Sequence, residues 1–147
     1  MRAAGISATR IARAYLCGNA KLVWVPDPLT QERRDLFHAH RRAVKGVTSA
    51  NNSLSSYLSD NGVRLDKSLL DLSRDERRNV LLKARTWNPT QTQILEIRLL
   101  ELDYHIELAG RLASLVAQQV LQDPKLLELT RLCGIRDVIA FAISAIV

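Results

Sequence analysis

The chain has 147 residues, about one ordinary domain, with 5% aromatics, few Gly and Pro, and a formal net charge of +6. That composition is helix-rich and coiled-coil-like, and no apolar run approaches the roughly 18 residues that cross a bilayer. No compact apolar core of a secretory signal precedes the first polar stretch, so a cytoplasmic protein without membrane contact is expected; Cys17 and Cys133 match no metal spacing and read as reduced thiols.

In chain order, residues 6–17 place Ile6, Ile11, Ala12 and Tyr15 on one helical face, with Gly18-Asn19 as a stop. Leu22-Val23-Trp24-Val25 is β-branched and aromatic, which suits a short strand or an extended connector. The run VWVPDP then launches a long helix, with Asp27 as N-cap and Pro28 as first helical residue. From Leu29 to about Ser59 no breaker intervenes. Leu36, His40, Ala43, Val47, Ala50, Leu54 and Tyr57 recur at spacings of four and three, a heptad seam. Two alanines and a histidine make that seam weak, so a partner helix is required. Asn61-Gly62 closes the helix.

Ser73 with Glu76 is a capping-box pair and opens a short helix to about Arg85. Trp87-Asn88-Pro89 ends it, and Thr90 is read as the cap of the next. From about Gln91 to Leu121 runs a second long helix, whose seam is Leu95, Leu99, Leu102, Ile106, Ala109, Ala113, Val116 and Val120. Tyr104, Leu108, Leu112 and Leu115 widen the stripe, which predicts contact with more than one neighbour. Asp123-Pro124 opens a short helix to about Leu132, and Gly134-Ile135-Arg136 forms a turn. Asp137 starts a last helix, apolar on nearly every face, that calls for a core around it and makes the C-terminus look truncated. The expected fold is all-α: an elongated helical hairpin or coiled coil of two heptad helices, a short connecting helix and a C-terminal helix-hairpin-helix-like turn.

The positive charge is uneven. Residues 1–64 hold ten Lys and Arg against four acids, while the remainder is neutral. An anionic partner is therefore expected in the first half. Catalytic constellations are missing: no phosphate-cradling Gly-rich loop, no zinc-protease signature, and three histidines (His38, His40, His105) apart from acids and thiols at ligand spacing. Glu101, Asp103 and Glu107 read as a solvated helix face. Binding features remain. Arg33, Arg34, Arg41, Arg42 and Lys45 form a basic strip, with Glu32 and Asp35 near enough to pair with some of them. The turn at Gly134, Ile135 and Arg136 precedes a helix N-terminus, where backbone N–H groups can hold a phosphate.

Three stretches, ATRIARAYLCGNAKLVWVPDP, RRDLFHAHRRAVKGVTSANNSLSSYLSDNG and LTRLCGIRDVIAFAISAI, together resemble the IS-one-ten type of bacterial insertion-sequence transposases. Members of that family typically read A-x-x-L-A-R, then V-W-V-P-D, a basic heptad helix, L-L-x-x-G and, much later, L-x-x-x-x-G-I-G-x-x-x-A. The resemblance covers residues 8–62 and 129–147, is poor over 63–90 and only heptad-like between. It implies the end of a RuvC-like nuclease domain at 1–26, a coiled-coil domain at 27–122 and the start of a C-terminal transposase domain at 123–147.

The departures imply lost chemistry. The family's last two catalytic aspartates stand in K-T-D-R-R-D-A, and aligning that motif on Ala8 puts Ala4 and Ser7 at their positions. Neither binds Mg²⁺, the intact family's cofactor, as a carboxylate does. The remaining acids and the nucleophilic serine would lie outside this sequence. In the terminal motif Arg136 replaces the family's second glycine. The resemblance thus implies a transposase fragment with no catalytic residue and no cofactor of its own. DNA or a guide RNA, and further copies of the chain through the heptad helices, are the expected partners. A purely structural oligomerisation module is the alternative.

Overall fold

The computed structural model describes Arg10, Arg13 and residues 15–18, 25–64 and 68–146. Most of the expected first helix and of the Leu22–Val25 connector lies outside them. Arg10, Arg13, Tyr15 and Leu16 are helical, and Gly18 has a φ of +68°, the left-handed conformation expected of a stop. Val25 is exposed and outside any strand.

Five α-helices follow: α1 (Pro28–Asp60), α2 (Arg74–Lys83), α3 (Pro89–Gln122), α4 (Pro124–Thr130) and α5 (Asp137–Ile146), with a 3₁₀ turn at Leu69–Asp71. The expected all-α hairpin is what forms. Helix α1 begins where VWVPDP places it. Asp27 accepts from the Thr30 backbone N–H at 3.0 Å and from its hydroxyl at 2.8 Å, with Pro28 in the first turn. These two donations, the backbone one first, hold the Asp27 carboxyl below its ordinary value. At the other end Asn61 is the C-cap and Gly62 takes a φ of +74°.

One boundary differs. The cap of α3 is Asn88, not Thr90: its Oδ1 accepts from the Gln91 N–H at 2.8 Å while Gln91 Oε1 accepts from the Asn88 N–H at 3.2 Å. Pro89, which reads as a terminator, is the first residue of the new helix. Its missing N–H costs nothing there, where no intrahelical acceptor exists.

Helices α1 and α3 pair antiparallel. Partners fall along α3 as they rise along α1: Arg33 meets Asp123, Gly46 meets His105, Ser53 meets Arg98, and Tyr57 donates to the Gln91 carbonyl. Ala43, Ala50 and Leu54 of the first seam are buried, and Leu36, His40, Val47 and Tyr57 half-buried. On α3, Leu95, Leu99, Leu102, Val116 and Val120 are buried and Ile106, Ala109 and Ala113 half-buried.

The apolar core divides into two clusters along this pair. One gathers Leu54, Leu58, Leu69, Leu81, Leu95 and Leu102 where α2 closes over the hairpin. The other gathers Val116, Val120, Leu126 and Phe141 where α4 and α5 fold back, with Leu36 and Phe37 against it. Each fully buried Leu or Phe contributes about 1.5–3 kcal/mol against exposure. Helix α5 buries only Ala140, Phe141 and Ala145; Ile139, Ile143 and Ile146 stay exposed, so the expected enclosing core is one-sided.

Polar clamps fix the α2 end. Arg77 is buried, pairs with Asp103 at 2.6 Å, and donates to the Leu69 and Leu72 carbonyls at 3.2 and 2.9 Å. One guanidinium thereby ties the 3₁₀ turn and α2 to α3. Arg98 lies over the Tyr57 ring at 5.1 Å, Tyr57 stacks on Trp87 at 6.2 Å, and Arg85 lies over Trp87 at 5.5 Å. This four-layer stack closes the α1–α3 hairpin beside Asn61, whose carbonyl accepts from Arg85.

Between the two clusters the helices cross at Gly46. A Cβ there would run into the His105 ring, at 2.7 Å from Cε1 and closer still to Nδ1. Gly46→Val is expected to lower stability by about 1–3 kcal/mol, as overpacking does. In denaturant titrations the Gly46→Val/His105→Ala double variant should lose less than the two single losses together, because the two sites share one space.

Candidate nucleic-acid interface

The basic strip of α1 is split by its register. Arg33 stands three residues before Leu36, in line with the seam, and so turns towards α3 and α4. There its Nη2 meets Asp123 Oδ2 at 2.6 Å, with both side chains largely covered. Asp123 also accepts from the Lys125 N–H at 3.0 Å as the N-cap of α4. Arg34 reaches α5 and donates through Nε to the Ala145 carbonyl at 2.6 Å, satisfying an acceptor at that helix's C-terminal end. Glu32 and Asp35 take neither arginine among the described ion pairs; Asp35 accepts from Gln31 at 3.0 Å. These two arginines hold the C-terminal helices onto α1.

Arg41, Arg42 and Lys45 are different. All three are exposed, on the side of α1 away from the seam. Among the described residues none has a carboxylate within ion-pair distance. Lys45 follows Arg41 by four residues and Arg42 by three, so all three heads project from neighbouring points of one surface. His38, exposed and three and four residues before the arginines, adds a ring to the same patch. In the sequence His38 shows no ligand spacing for a metal, and its spacing of three and four residues to Arg41 and Arg42 is the signal for its place here. No acid occurs on α1 between Asp35 and Asp60. Three uncompensated cations on a straight rod can follow a phosphate backbone, whose contacts need charge and reach but no base-specific geometry.

The second candidate element forms as a turn. Gly134 has a φ of +85°, and the Ile135 N–H donates to the Leu132 carbonyl at 3.1 Å. The left-handed conformation explains the glycine. Arg136 is exposed, and its carbonyl accepts from Ile139 and Ala140 to start α5. Arginine in place of a second glycine is accommodated, since Gly134 is the only positive-φ residue of this turn. Ile135 is half-buried, and its N–H is already used inside the turn. Among the described residues no hydrogen bond or ion pair joins the turn to Arg41, Arg42 or Lys45.

Cys17 and Cys133 are free and exposed. Among the described residues no cluster of His, Cys, Asp or Glu has metal-site geometry, and no helix is long and apolar enough to cross a membrane.

The Arg33 hydrogen bond, foremost, holds the Asp123 carboxyl below its ordinary value of 3.8; partial burial opposes this and the Lys125 N–H reinforces it. A lowered carboxyl stabilises the fold above its unfolded value, and that stability is lost as pH falls through the folded value. Asp123→Asn keeps a cap acceptor but removes the charge, and should cost about 1–2 kcal/mol at pH 7. Unfolding measured across the acid range should show the variant and parent converging below pH 3.8, the carboxyl's ordinary value. Comparison of the chain with protein-family models, curated proteins and solved structures returns no match.

Proposed function

We propose that this chain is a nucleic-acid-binding, self-associating helical segment of transposase type, with no strand-cleaving chemistry of its own. The observation that carries the binding half is the exposed, uncompensated trio Arg41, Arg42 and Lys45 on a helix with no acid between Asp35 and Asp60. The transposase type rests on the resemblance of the VWVPDP launch, the basic heptad helix and the terminal Gly-Ile turn. Its ligand is the phosphate backbone of DNA or of a structured RNA, gripped without base readout. The lack of cleavage rests on Ala4 and Ser7 standing where the family's aspartates would be. Arg136 at the terminal turn is a secondary phosphate contact in this reading.

Binding should be salt-sensitive. In titrations of labelled duplex DNA and of structured RNA, the Arg41→Gln/Arg42→Gln/Lys45→Gln variant should bind about 10–100-fold more weakly at low salt. The slope of log K against log salt on duplex DNA should shrink by about two to three. Arg33→Gln should instead lower stability through Asp123 and leave the slope in place. Absence of any salt-dependent binding, or an unchanged slope in the triple variant, would leave a structural oligomerisation module as the better description.

A further inference from the structure

Away from the seam that packs on α1, helix α3 carries a second heptad series, whose last member, Leu115, borders a hollow also lined by α1. Ile97, Glu101, Tyr104, Leu108, Arg111 and Leu115 follow one another at spacings of four, three, four, three and four. Ile97 is 65% exposed, Tyr104 62% and Leu115 47%, far more than a lone surface apolar residue would require explaining. Leu108 is half-buried, and Glu101 is exposed with no cation partner among the described residues. Tyr104, Glu107, Leu108 and Arg111 line a shallow hollow of about 170 Å³ in the middle of the series.

We infer that this face is the interface with a second copy of the chain, docked antiparallel about a two-fold axis that passes this face at the level of residue 106. The inference rests on the self-association half of the proposed function and gives it a surface and an orientation. The argument is charge complementarity. Read backwards, the series is Leu115, Arg111, Leu108, Tyr104, Glu101, Ile97. An antiparallel copy therefore sets Ile97 against Leu115, Glu101 against Arg111, and Tyr104 against Leu108, each twice. Every apolar residue meets an apolar one and every acid meets a base. In heptad terms each layer joins an a position to a d position, as antiparallel packing requires, whereas a parallel pair joins like positions. Parallel docking would stack Glu101 on Glu101 and Arg111 on Arg111, a repulsion that selects against it.

Leu100, 55% exposed, borders the series beside Ile97 and Tyr104 and adds apolar area at its edge. Among the described residues Arg111 is held in the single chain only by its exposed intrahelical pairing with Glu107. Such a pair is worth little, so Arg111 is free to turn towards Glu101 of the other copy.

Sedimentation velocity from micromolar to sub-millimolar protein, in the absence of nucleic acid, tests this. The parent should dimerise. Glu101→Arg and Arg111→Glu should each weaken dimerisation about tenfold or more, and the double swap Glu101→Arg/Arg111→Glu should restore it. Both sites are exposed, so helicity, and the melting temperature at concentrations where the parent is monomeric, should stay at parental values, which separates lost assembly from lost fold. Orientation is read by disulfide trapping in a Cys17→Ser/Cys133→Ser background. Ile97→Cys/Leu115→Cys should cross-link between copies, and Ile97→Cys alone should not, since its counterpart lies roughly 27 Å away along the axis. Dimers indifferent to the charge swaps would overturn this seam while leaving self-association standing. A chain monomeric throughout would overturn both. Efficient cross-linking of Ile97→Cys alone would overturn the antiparallel orientation.

Discussion

The antiparallel contact between α1 and α3 decides what every other part of the chain can do. Alone, α1 presents Leu36, His40, Ala43, Val47, Ala50, Leu54 and Tyr57, a seam with too little apolar volume to offset the ordering of a 33-residue helix. Against α3 it gains a stripe of leucines and valines, and the loops then bring α2 over one end and α4 with α5 over the other. Between the clusters, Gly46 leaves room for the His105 ring, with which a Cβ at that position would collide. The register so fixed turns some basic residues of α1 inwards and others out.

That division explains why one basic helix holds arginines with two kinds of work. Arg33 and Arg34 spend their planar, multi-donor heads on Asp123 and on the Ala145 carbonyl, one a helix N-cap and the other near a helix C-terminus. Arginine suits both sites because it stays charged and presents several donors at fixed angles. Arg41, Arg42 and Lys45 lie beyond the reach of α4 and α5, on the far side of the rod, and keep their charge for solvent or a ligand. Net charge alone does not distinguish these uses. The same cations that suggest nucleic acid at one position serve tertiary structure eight residues earlier.

Periodicity and capping were legible in the sequence because they are local. The seams of both long helices, the Asp27-Pro28 start, the Ser73–Glu76 box and the Asn61-Gly62 stop all follow from residues within one turn of one another. Asn88 was local too, but Pro89 signals both the end of one helix and the start of the next, and the spacing to Gln91 is what resolves it. The fate of Arg33 was not legible from its neighbours. Its partner lies 90 residues away, and only the extension of the seam by three residues hinted that it would face inwards. The one-sided burial of α5 was likewise hidden, since an all-apolar helix does not declare which face the rest of the chain will cover.

The two outward faces of the hairpin stand back to back, and their placement constrains any assembly. The basic patch lies on the side of α1 turned away from α3, and the series from Ile97 to Arg111 on the side of α3 away from its seam with α1, with Leu115 at the edge of a hollow that α1 also lines. In the antiparallel dimer inferred above, the layers run α1, α3, α3 and α1 of the two copies. Packed helices sit about 8–10 Å apart, so the two α1 axes are separated by roughly 25–30 Å. Each basic patch then faces outwards, and the two-fold axis makes them point in opposite directions. Such patches cannot merge into one continuous groove around a single backbone. Under the proposed function they would take two separate nucleic-acid segments, one on each side, so that dimerisation would couple two binding events without making either one tighter at its own site.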